Sequence, residues 1–596
     1  MDPATLTVLI ILIATVVMLV FEFVRIDVTA LLCMLALGWT GVLTPHEALS
    51  GFSSNAVIAM MAVMILGQGV AKTGIMDRFS RAVLKRGGTN RWRVIGLMSL
   101  SVGLLSGFIQ NIGAAALFLP GILNISRRGK IPASALIMPI GFAAILGGTL
   151  SMVGSGPLIL INDLLRNAGM APYGLFSVTP VGILLLLSGI GFFFLLGKFV
   201  LPDSPSQAAL VSEQEKLIEA LHLPHHIWQY AIPQNSALIG KTTEQSGVWD
   251  KFNLHVLGIS HGKDLEYAPW REARFEPEQE LALLGNEEDA NKFATTYDLV
   301  QQGRGHRFGS LTDPEESGFA EVIVPPRSEM VGQTIRQFSL RKRYAVEPVM
   351  MFSKGEEIWG DFSDHQILPG DTFIVHGLWE KISDLKASSD FVVVTPFKVE
   401  KKEKSKAWVA MLCFLGVIGL ALAGAPISMA FFTGAIAMVL TRVLTIQKAY
   451  QAIEWKVVFL LAGLVPLGIA MQKTGTATFL AERTMTLMQG GHPIFIVLTV
   501  AVLSTLFSLF MSNVGAIVVL APLVMSMATI GGLDPRPMAL MAAVCTANSF
   551  ILPTHQVNVL LMSSGGYRNV DYFKAGGGIT VIFLFVVVIV FYLFYF

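Results

Sequence analysis

Charged residues are scarce in this chain of 596 residues. Asp, Glu, Lys and Arg make up 14% of the sequence, 53% of it is hydrophobic, and the mean hydropathy is +0.62. Soluble globular chains carry about 25% charged residues, so this composition excludes that class. The sequence therefore predicts a polytopic membrane protein.

Cysteine is also scarce. Cys33, Cys413 and Cys545 each lie in an apolar run, and none has a CxxC or metal-ligand spacing. This pattern excludes a disulfide framework and a zinc site, so we expect the three thiols to be packed in the core. The motifs of P-loops, zinc proteases and serine hydrolases do not occur in a suitable context, which argues against an enzyme.

The charges that are present fall into two regions of opposite sign. Residues 203 to 406 hold 22 basic and 32 acidic side chains, and the rest of the chain holds 21 and 10. An acidic soluble insert therefore interrupts a membrane body with basic loops, and we expect no nucleic acid partner. The first apolar run lacks a basic region before it and a cleavage site after it, which predicts a retained span and not a signal peptide.

The membrane part contains a repeat at an offset of about 401 residues. FIQNIGAAALFLP, from Phe108 to Pro120, returns as FMSNVGAIVVLAP, from Phe510 to Pro522. Each copy is followed by an apolar stretch broken by small and polar residues, GGTLSMVGSGP in the first and ANSFILPTHQVN in the second. The repeat predicts two copies of one membrane unit on either side of the insert.

Loop charge predicts the topology of the two copies. In the first copy we expect a re-entrant hairpin at 92 to 125, which has basic residues at both ends, and spans near 5 to 24, 28 to 45, 54 to 76, 132 to 162 (broken) and 175 to 200. In the second copy we expect a hairpin at 493 to 525 and spans near 407 to 424, 426 to 443, 455 to 475, 535 to 562 (broken) and 576 to 596. Five spans in each copy mean that the copies are inverted, with the insert cytoplasmic and both termini outside.

The insert repeats internally at an offset of 92 residues. IPQNSALIGKT, from Ile232 to Thr242, returns as VPPRSEMVGQT, from Val324 to Thr334. Alternating apolar strands, a short helix and turn residues in each copy predict two α/β modules of about 85 residues. The expected domains are a first membrane repeat at 1–202, modules at 203–310 and 311–400, and a second membrane repeat at 401–596.

These features resemble the divalent anion/sodium symporter family of the ion transporter superfamily, and in it the sulfate permease subgroup with two inserted TrkA-C (RCK-C) domains. The hairpin tips, residues 110–112 and 512–514, match the paired Ser-Asn-Thr motifs of that family. The resemblance implies an elevator-type transporter, a homodimer, substrate binding at the tips and two sodium sites. This chain has Gln110 in place of Ser, and Ile112 and Val514 in place of Thr. The loss of both Thr hydroxyls argues against a dicarboxylate substrate, and Gln110 predicts a weaker first sodium site.

Helices that break inside a bilayer leave backbone groups unpaired, which is tolerated only inside protein or along a cavity. Their carbonyls, with Asn, Ser and Thr oxygens, suit a dehydrated cation, and helix N-termini suit an anion. The alternative is that these small polar residues only allow the helices to pack closely. Two tips and two breaks in matching register argue against that alternative. The expected substrate ligands are Gln110, Asn111, Ile112, Ser155, Ser512, Asn513, Val514 and His555. The expected sodium ligands are Asn111, Thr149, Gly154, Ser512, Asn513, Ser549, Thr554 and Asn558.

Few ionisable side chains accompany this region. Lys72 and Lys473 end spans beside Thr-Gly, so we expect both to reach the membrane interface. Asp163 follows the first broken span and is either an interfacial residue or, in a proton-coupled protein, a coupling residue. For His555, a packed neutral role and a role as substrate or proton ligand are both open.

The sequence thus predicts a sodium-coupled symporter of a small divalent oxyanion, sulfate first, in a bacterial-type plasma membrane. Sodium ions are the expected co-transported ligands, and the insert is expected either to bind a small regulatory ligand or to be structural. A sodium/dicarboxylate symporter is the nearest alternative. A cation/proton antiporter, a ligand-gated ion pathway and a membrane sensor are the others.

Overall fold

A computed structural model describes residues 2–74, 90–129, 131–202, 213–262, 264–302, 307–314, 316–395, 406–486 and 492–594. The chain divides into two compact units: a membrane unit, Met1–Ala209 with Lys402–Phe596, and the insert, Leu210–Lys401. Three predicted features lie partly outside the described residues: the end of the span at 54 to 76, the end of the span at 576 to 596, and the domain boundaries near 203 and 400.

The first half of the membrane unit is helical. Ser54 and Asn90 begin two of its helices by accepting hydrogen bonds from backbone N–H groups of the first turn, groups that a helix cannot pair internally. The helices are α1 (Pro3–Phe21), α2 (Ile26–Trp39), α3 (Pro45–Leu49), α4 (Asn55–Lys72), α5 (Arg91–Ser106), α6 (Asn111–Gly129), α7 (Ser134–Gly147), α8 (Gly156–Asn167) and α9 (Thr179–Val200).

The described residues of the insert form two five-stranded antiparallel sheets. The first has the order β3-β2-β4-β1-β5, and the second has the order β8-β7-β9-β6-β10. The strands are β1 (Ile227–Ala231), β2 (His255–His261), β3 (Asp264–Tyr267), β4 (Glu280–Leu284), β5 (Val300–Gln301), β6 (Ser317–Ile323), β7 (Glu347–Ser353), β8 (Glu356–Ile358), β9 (Thr372–Leu378) and β10 (Val392–Val393). The helices are α10 (Glu213–Ala220), α11 (Glu287–Thr296), α12 (Gly309–Thr312), α13 (Ile335–Phe338), α14 (Leu340–Tyr344) and α15 (Trp379–Ala387).

The two sheets share one topology in detail. β2 begins at His255 and β7 begins 92 residues later, at Glu347. The register shift between Val256 and Gly258 in β2 recurs at the equivalent place in β7. An isolated bridge joins Thr242 to Arg274, and its counterpart joins the residues 92 positions further along. We call residues 227–301 the first module and residues 317–393 the second module.

The second half of the membrane unit follows the element order of the first. Its helices are α16 (Ala407–Leu422), α17 (Ile427–Leu440), α18 (Ile446–Ala452), α19 (Trp455–Lys473), α20 (Thr476–Thr486), α21 (Pro493–Phe510), α22 (Asn513–Ile530), α23 (Pro535–Cys545), α24 (Gln556–Gly565) and α25 (Asn569–Phe594). The sequence analysis did not predict α3, α18 and α20. Each predicted broken span consists of two helices, α7 with α8 and α23 with α24, separated by an irregular segment.

Length and composition identify the membrane-spanning candidates. Among the described residues, seven helical stretches are apolar and long enough to cross a bilayer, and five apolar helices are shorter. The seven are Pro3–Phe21, Pro45–Lys72, Thr179–Val200, Trp455–Lys473, Pro493–Phe510, Asn513–Ile530 and Asn569–Phe594. The prediction of a polytopic helical membrane protein is confirmed. Cys33 and Cys545 are buried, as expected, and Cys413 is partly exposed.

Candidate functional site

The two hairpins turn at the predicted tips. In the first hairpin α5 ends at Ser106 and α6 begins at Asn111, and in the second α21 ends at Phe510 and α22 begins at Asn513. Each tip asparagine is therefore the first residue of a helix, and both are partly buried. Free N–H groups and the positive end of the helix dipole collect at such a position, which favours an anion.

The two tips differ in how their helices begin. Ser512 caps α22, since its Oγ accepts a hydrogen bond from the backbone N–H of Gly515 at 3.1 Å. Gln110 occupies the equivalent position of the first tip, and its amide nitrogen lies 3.8 Å from the sulfur of Met60. Serine is among the preferred N-cap residues and glutamine is not. The two helices therefore begin differently because Gln110 replaces the serine of the Ser-Asn-Thr motif, which Ser512 retains.

The first tip lies against the first break, residues 148–155. Asn111 Oδ1 accepts a hydrogen bond from Ser106 Oγ at 2.8 Å. A Cβ added to Gly148 would lie 2.5 Å from the same Asn111 oxygen. Glycine is therefore needed at position 148 for the break to approach the tip asparagine this closely.

Carbonyl groups collect at the same place. Ser151 Oγ donates a hydrogen bond to the Gly107 carbonyl. A Cβ on Gly154 would lie 2.5 Å from the Gly148 carbonyl oxygen and 3.0 Å from that of Gly107. Uncharged oxygens from the tip and the break thus converge, and such donors suit a dehydrated sodium ion. Thr149 is next to this group, with its hydroxyl donating to the Leu146 carbonyl at 2.6 Å.

The second break, residues 546–555, is held by an asparagine that the sequence analysis did not single out. Asn548 is fully buried, and its Nδ2 donates to Thr505 Oγ1 at 3.2 Å. Its Oδ1 accepts from Thr580 Oγ1 at 3.0 Å. These bonds tie α21, the break and α25 together. The signal in the sequence was the position of this asparagine inside the second broken stretch, ANSFILPTHQVN.

Two predicted sodium ligands meet in the second half. Asn558 Nδ2 donates to the Ser549 carbonyl at 2.8 Å, and both residues are fully buried. Within the described part of the chain, Ser549 Oγ and Asn558 Oδ1 have no hydrogen-bond partner. Thr554, in contrast, is exposed, so the structure does not group it with these two residues.

The two halves meet beside the tips. A Cβ on Gly156, the first residue of α8, would lie 2.8 Å from Val514 of the second tip and 3.2 Å from Met60. Met60 is also the residue that the Gln110 amide approaches. Ser155, the residue before α8, has a buried Oγ without a partner among the described atoms. Residues of both halves therefore line one region beside the tips.

The ionisable side chains have structural partners. His555 caps α24, since its Nδ1 accepts from the backbone N–H of Val557 at 3.2 Å. This bond requires an Nδ1 without a proton. It fits a neutral, packed histidine, one of the two roles that the sequence leaves open. Asp163 is buried, with 6% of its surface exposed. Its carboxylate accepts from the backbone N–H of Ala56 at 2.7 Å and pairs with Arg166 at 2.9 Å.

The prediction for Lys72 is wrong. Its side chain is 4% exposed and donates to the Val443 carbonyl at 3.3 Å, because the segment after α17 covers the end of α4. Lys473 is 45% exposed at its side chain and pairs with Glu47 at 2.8 Å. Among the described residues, no group of three or more His, Cys, Asp or Glu is placed to hold a metal ion. Cation binding here would depend on uncharged oxygens.

Comparison with known proteins decides the family. A family model described as citrate transporter (CitMHS) matches residues 16–545 and 483–596. The chain belongs to the citrate transporter (CitMHS) family. The protein is thus a membrane transporter of the ion transporter superfamily, and its family membership argues for transport and not catalysis.

Several transporters are similar to this chain along part or nearly all of its length. The uncharacterized transporters sll0640 of Synechocystis and YfbS of Escherichia coli are 30% and 28% identical, and the alignments cover 97% and 95% of this chain and 95% of each relative. Sodium/sulfate cotransporter 2 of Chlamydomonas reinhardtii is 23% identical over 63% of this chain and 42% of that protein.

Proposed function

We propose that the protein is a sodium-coupled symporter of a small divalent oxyanion, with sulfate as the first candidate. The observation that carries the proposal is the pair of buried oxygens in the second half, Ser549 Oγ and Asn558 Oδ1, which lack partners in the described part of the chain. A buried polar atom left unpaired costs about 1–3 kcal/mol. A sodium ion held between these oxygens would remove that cost.

The charge of the surroundings favours a monovalent cation. The tip and break segments, residues 107–111, 147–157, 511–513 and 546–558, contain no Asp or Glu. Calcium and magnesium sites in proteins normally include carboxylates. Ligands made of carbonyl, amide and hydroxyl oxygens suit sodium, which can then supply the positive charge that the anion needs.

The first half offers a second cation position. It would use Asn111 Oδ1, Ser106 Oγ and the carbonyls near Gly154, which converge around the first tip. Two sodium ions would balance one divalent anion. We place Ser106 in this set although the sequence analysis did not name it, because its hydroxyl contacts the asparagine oxygen directly.

Sulfate is favoured over a dicarboxylate by the tips. Ile112 and Val514 lie where the Ser-Asn-Thr motif of the divalent anion/sodium symporters has threonine hydroxyl groups. Val514 packs closely against Gly156. A site without those donors discriminates against a substrate whose polar groups would stay unpaired. The relative described as a sodium/sulfate cotransporter supports the same choice. The nearest alternative stays a sodium/dicarboxylate symporter.

The remaining parts of the proposal concern architecture. The element order repeated after about 401 residues supports two inverted membrane repeats, and the shared sheet topology supports two TrkA-C-like modules, at 203–310 and 311–400. We place the protein in the plasma membrane as an elevator-type homodimer, with a cytoplasmic insert that binds a small regulatory ligand and with both termini outside.

Uptake into proteoliposomes tests the proposed function. Labelled sulfate, succinate and citrate are supplied with and without an inward sodium gradient. Sulfate should accumulate only with sodium, and an Asn513→Ala protein, which loses a tip amide that can face both an anion and a cation, should be the inactive control. Sodium-dependent succinate or citrate uptake without sulfate uptake would refute the substrate. Full uptake in sodium-free buffer with a proton gradient would refute the coupling ion and direct attention to Asp163.

A further inference from the structure

In the described part of the insert, equivalent positions of the two modules form three polar contacts with one another. Arg336 pairs with Glu244 at 3.2 Å, the Arg341 guanidinium lies 4.7 Å from the centroid of the Trp249 ring, and His255 Nδ1 lies 3.2 Å from Glu347 Oε1. In each pair the two residue numbers differ by 92, the offset of the internal repeat. Equivalent positions meet in this way only beside a twofold axis, so these pairs mark an approximate axis between the modules.

The two members of each pair differ in chemistry. If two copies of the first module met through this face, Glu244 would face another Glu244. Each Trp249 would lose the Arg341 guanidinium and keep only Arg271 of its own module, 5.7 Å away. If two copies of the second module met, Arg336 would face Arg336. Facing like charges oppose association, so the observed face is complementary only between unlike modules.

Glu347 is a further position at which the two modules differ, since its equivalent in the first module is His255. The residue is fully buried, and its carboxylate accepts hydrogen bonds from Trp249 Nε1 at 3.2 Å and from Arg341 Nε at 2.6 Å. Trp249 and His255 belong to the first module, and Arg341 belongs to the second. A pairing of two second modules would bring two such carboxylates together and withdraw the donors of the first module, which is costly for a buried charge.

A fourth polar contact joins the two modules at the same face. Arg271 of the first module forms two hydrogen bonds with Asp361 of the second, at 3.0 and 3.4 Å, and its side chain is 6% exposed. The positions equivalent to these two residues are Ser363 and Pro269, which carry no charge. Pairing of like modules would therefore leave Arg271 buried without this partner.

Apolar contacts at the boundary do not discriminate in this way. One hydrophobic cluster contains residues of both modules, including Leu257 and its equivalent, Val349. Aliphatic side chains of similar size would pack in any of the possible pairings. The choice of partner therefore rests on the polar contacts.

We infer that the two modules form a pair that is closed within one chain, and that this face accepts neither a like module nor a module of a second chain. The insert then contains both modules of the pair in one chain, so no second chain is needed to form it. Any contact between copies of the protein through the insert must use a different surface. This inference does not depend on the transported substrate.

Cross-linking in the full-length protein tests which modules meet. The three native cysteines are replaced by alanine, and cysteines are introduced as Glu244→Cys and Arg336→Cys, two side chains that are each 42% exposed. A short bis-maleimide should join positions 244 and 336 within one chain of the double variant. Either single variant, and a mixture of differently tagged single variants expressed together, should give no cross-linked dimer. A cross-linked dimer from any of these samples, or no link in the double variant, would overturn the inference.

Hydrogen exchange tests whether the polar contacts hold the face. Arg271→Asp places an acidic group near Asp361 and Glu244, so exchange of the β2 and β7 amides in the full-length protein should become at least tenfold faster. Arg274→Asp is the matched control, because this arginine of the same module is exposed. Equal exchange in the two variants would refute the assignment of pairing specificity to the polar contacts.

Discussion

Replacing Gly148 with alanine tests how closely the first tip and the first break must fit. Gly148 has φ −58° and ψ −14°, values that any residue adopts, so alanine adds no backbone strain. The added Cβ would lie 2.5 Å from Asn111 Oδ1 and 2.9 Å from Asn111 Nδ2. Because nonbonded contacts are favourable near 3.5 Å, the asparagine side chain must move by about 1 Å.

That movement gives the size of the expected effect. Displacing a group by about 1 Å from its productive geometry can cost a factor of about 100 in rate. The hydrogen bond from Ser106 to Asn111 would be broken by the same shift. We therefore expect Gly148→Ala to lower the initial rate of sodium-driven sulfate uptake about 100-fold, which corresponds to about 2.7 kcal/mol.

Gly191→Ala is the matched control. Gly191 lies inside α9, and an added Cβ would have no neighbouring atom within 4 Å. Alanine should stabilise this helix by about 0.5–1 kcal/mol and leave uptake unchanged. Initial uptake rates are compared at equal amounts of reconstituted protein. Equal rates for the two variants would show that the contact between Gly148 and Asn111 has no part in transport.

Three further predictions concern the tips and the insert. Gln110→Ser should raise the apparent sodium affinity of uptake, because a serine can cap α6 as Ser512 caps α22; an unchanged sodium dependence would contradict this. Ile112→Thr combined with Val514→Thr should raise the ratio of succinate to sulfate uptake, and an unchanged ratio would remove the tips from selectivity. Burial lowers the pKa of His376 from 6.5 to about 4. At this position the unfolded insert binds a proton that the folded insert excludes, so His376 by itself should lower the free energy of unfolding by about 3 kcal/mol between pH 6.5 and pH 4. His376→Leu should remove this part of the pH dependence in urea unfolding experiments.

The sequence predicted the positions of the tips and breaks because they depend on local residue types. The Gly, Asn and Ser residues of the tips and breaks lower helix propensity, and the repeat marked each interruption twice. The tip asparagines Asn111 and Asn513 accordingly begin helices in the structure. The insert's strands followed from alternation and from the 92-residue offset in the same way.

Contacts between distant segments could not be predicted in this way. Asn548 bonds to Thr505 and Thr580, which lie 43 and 32 residues away, and nothing local marks these three as partners. Lys72 was placed at the membrane interface because hydropathy describes one segment at a time. In the fold another segment covers it and supplies the Val443 carbonyl.

The contacts between the two insert modules could not be predicted from local residue types either. The offset relates His255 to Glu347, but sequence alone does not show that equivalent positions touch. A signal was present, since Glu244 and Arg336 carry opposite charges at equivalent positions. Recognising it requires knowing that the modules meet beside a twofold axis.

Sodium movement driven by sulfate tests the central claim most directly. Proteoliposomes are prepared with equal sodium on both sides, an inward sulfate gradient is imposed, and the entry of labelled sodium is measured with the membrane potential clamped. The account predicts sulfate-dependent sodium accumulation that the Asn513→Ala protein does not support. Sulfate entry without any sodium entry would contradict sodium-coupled symport.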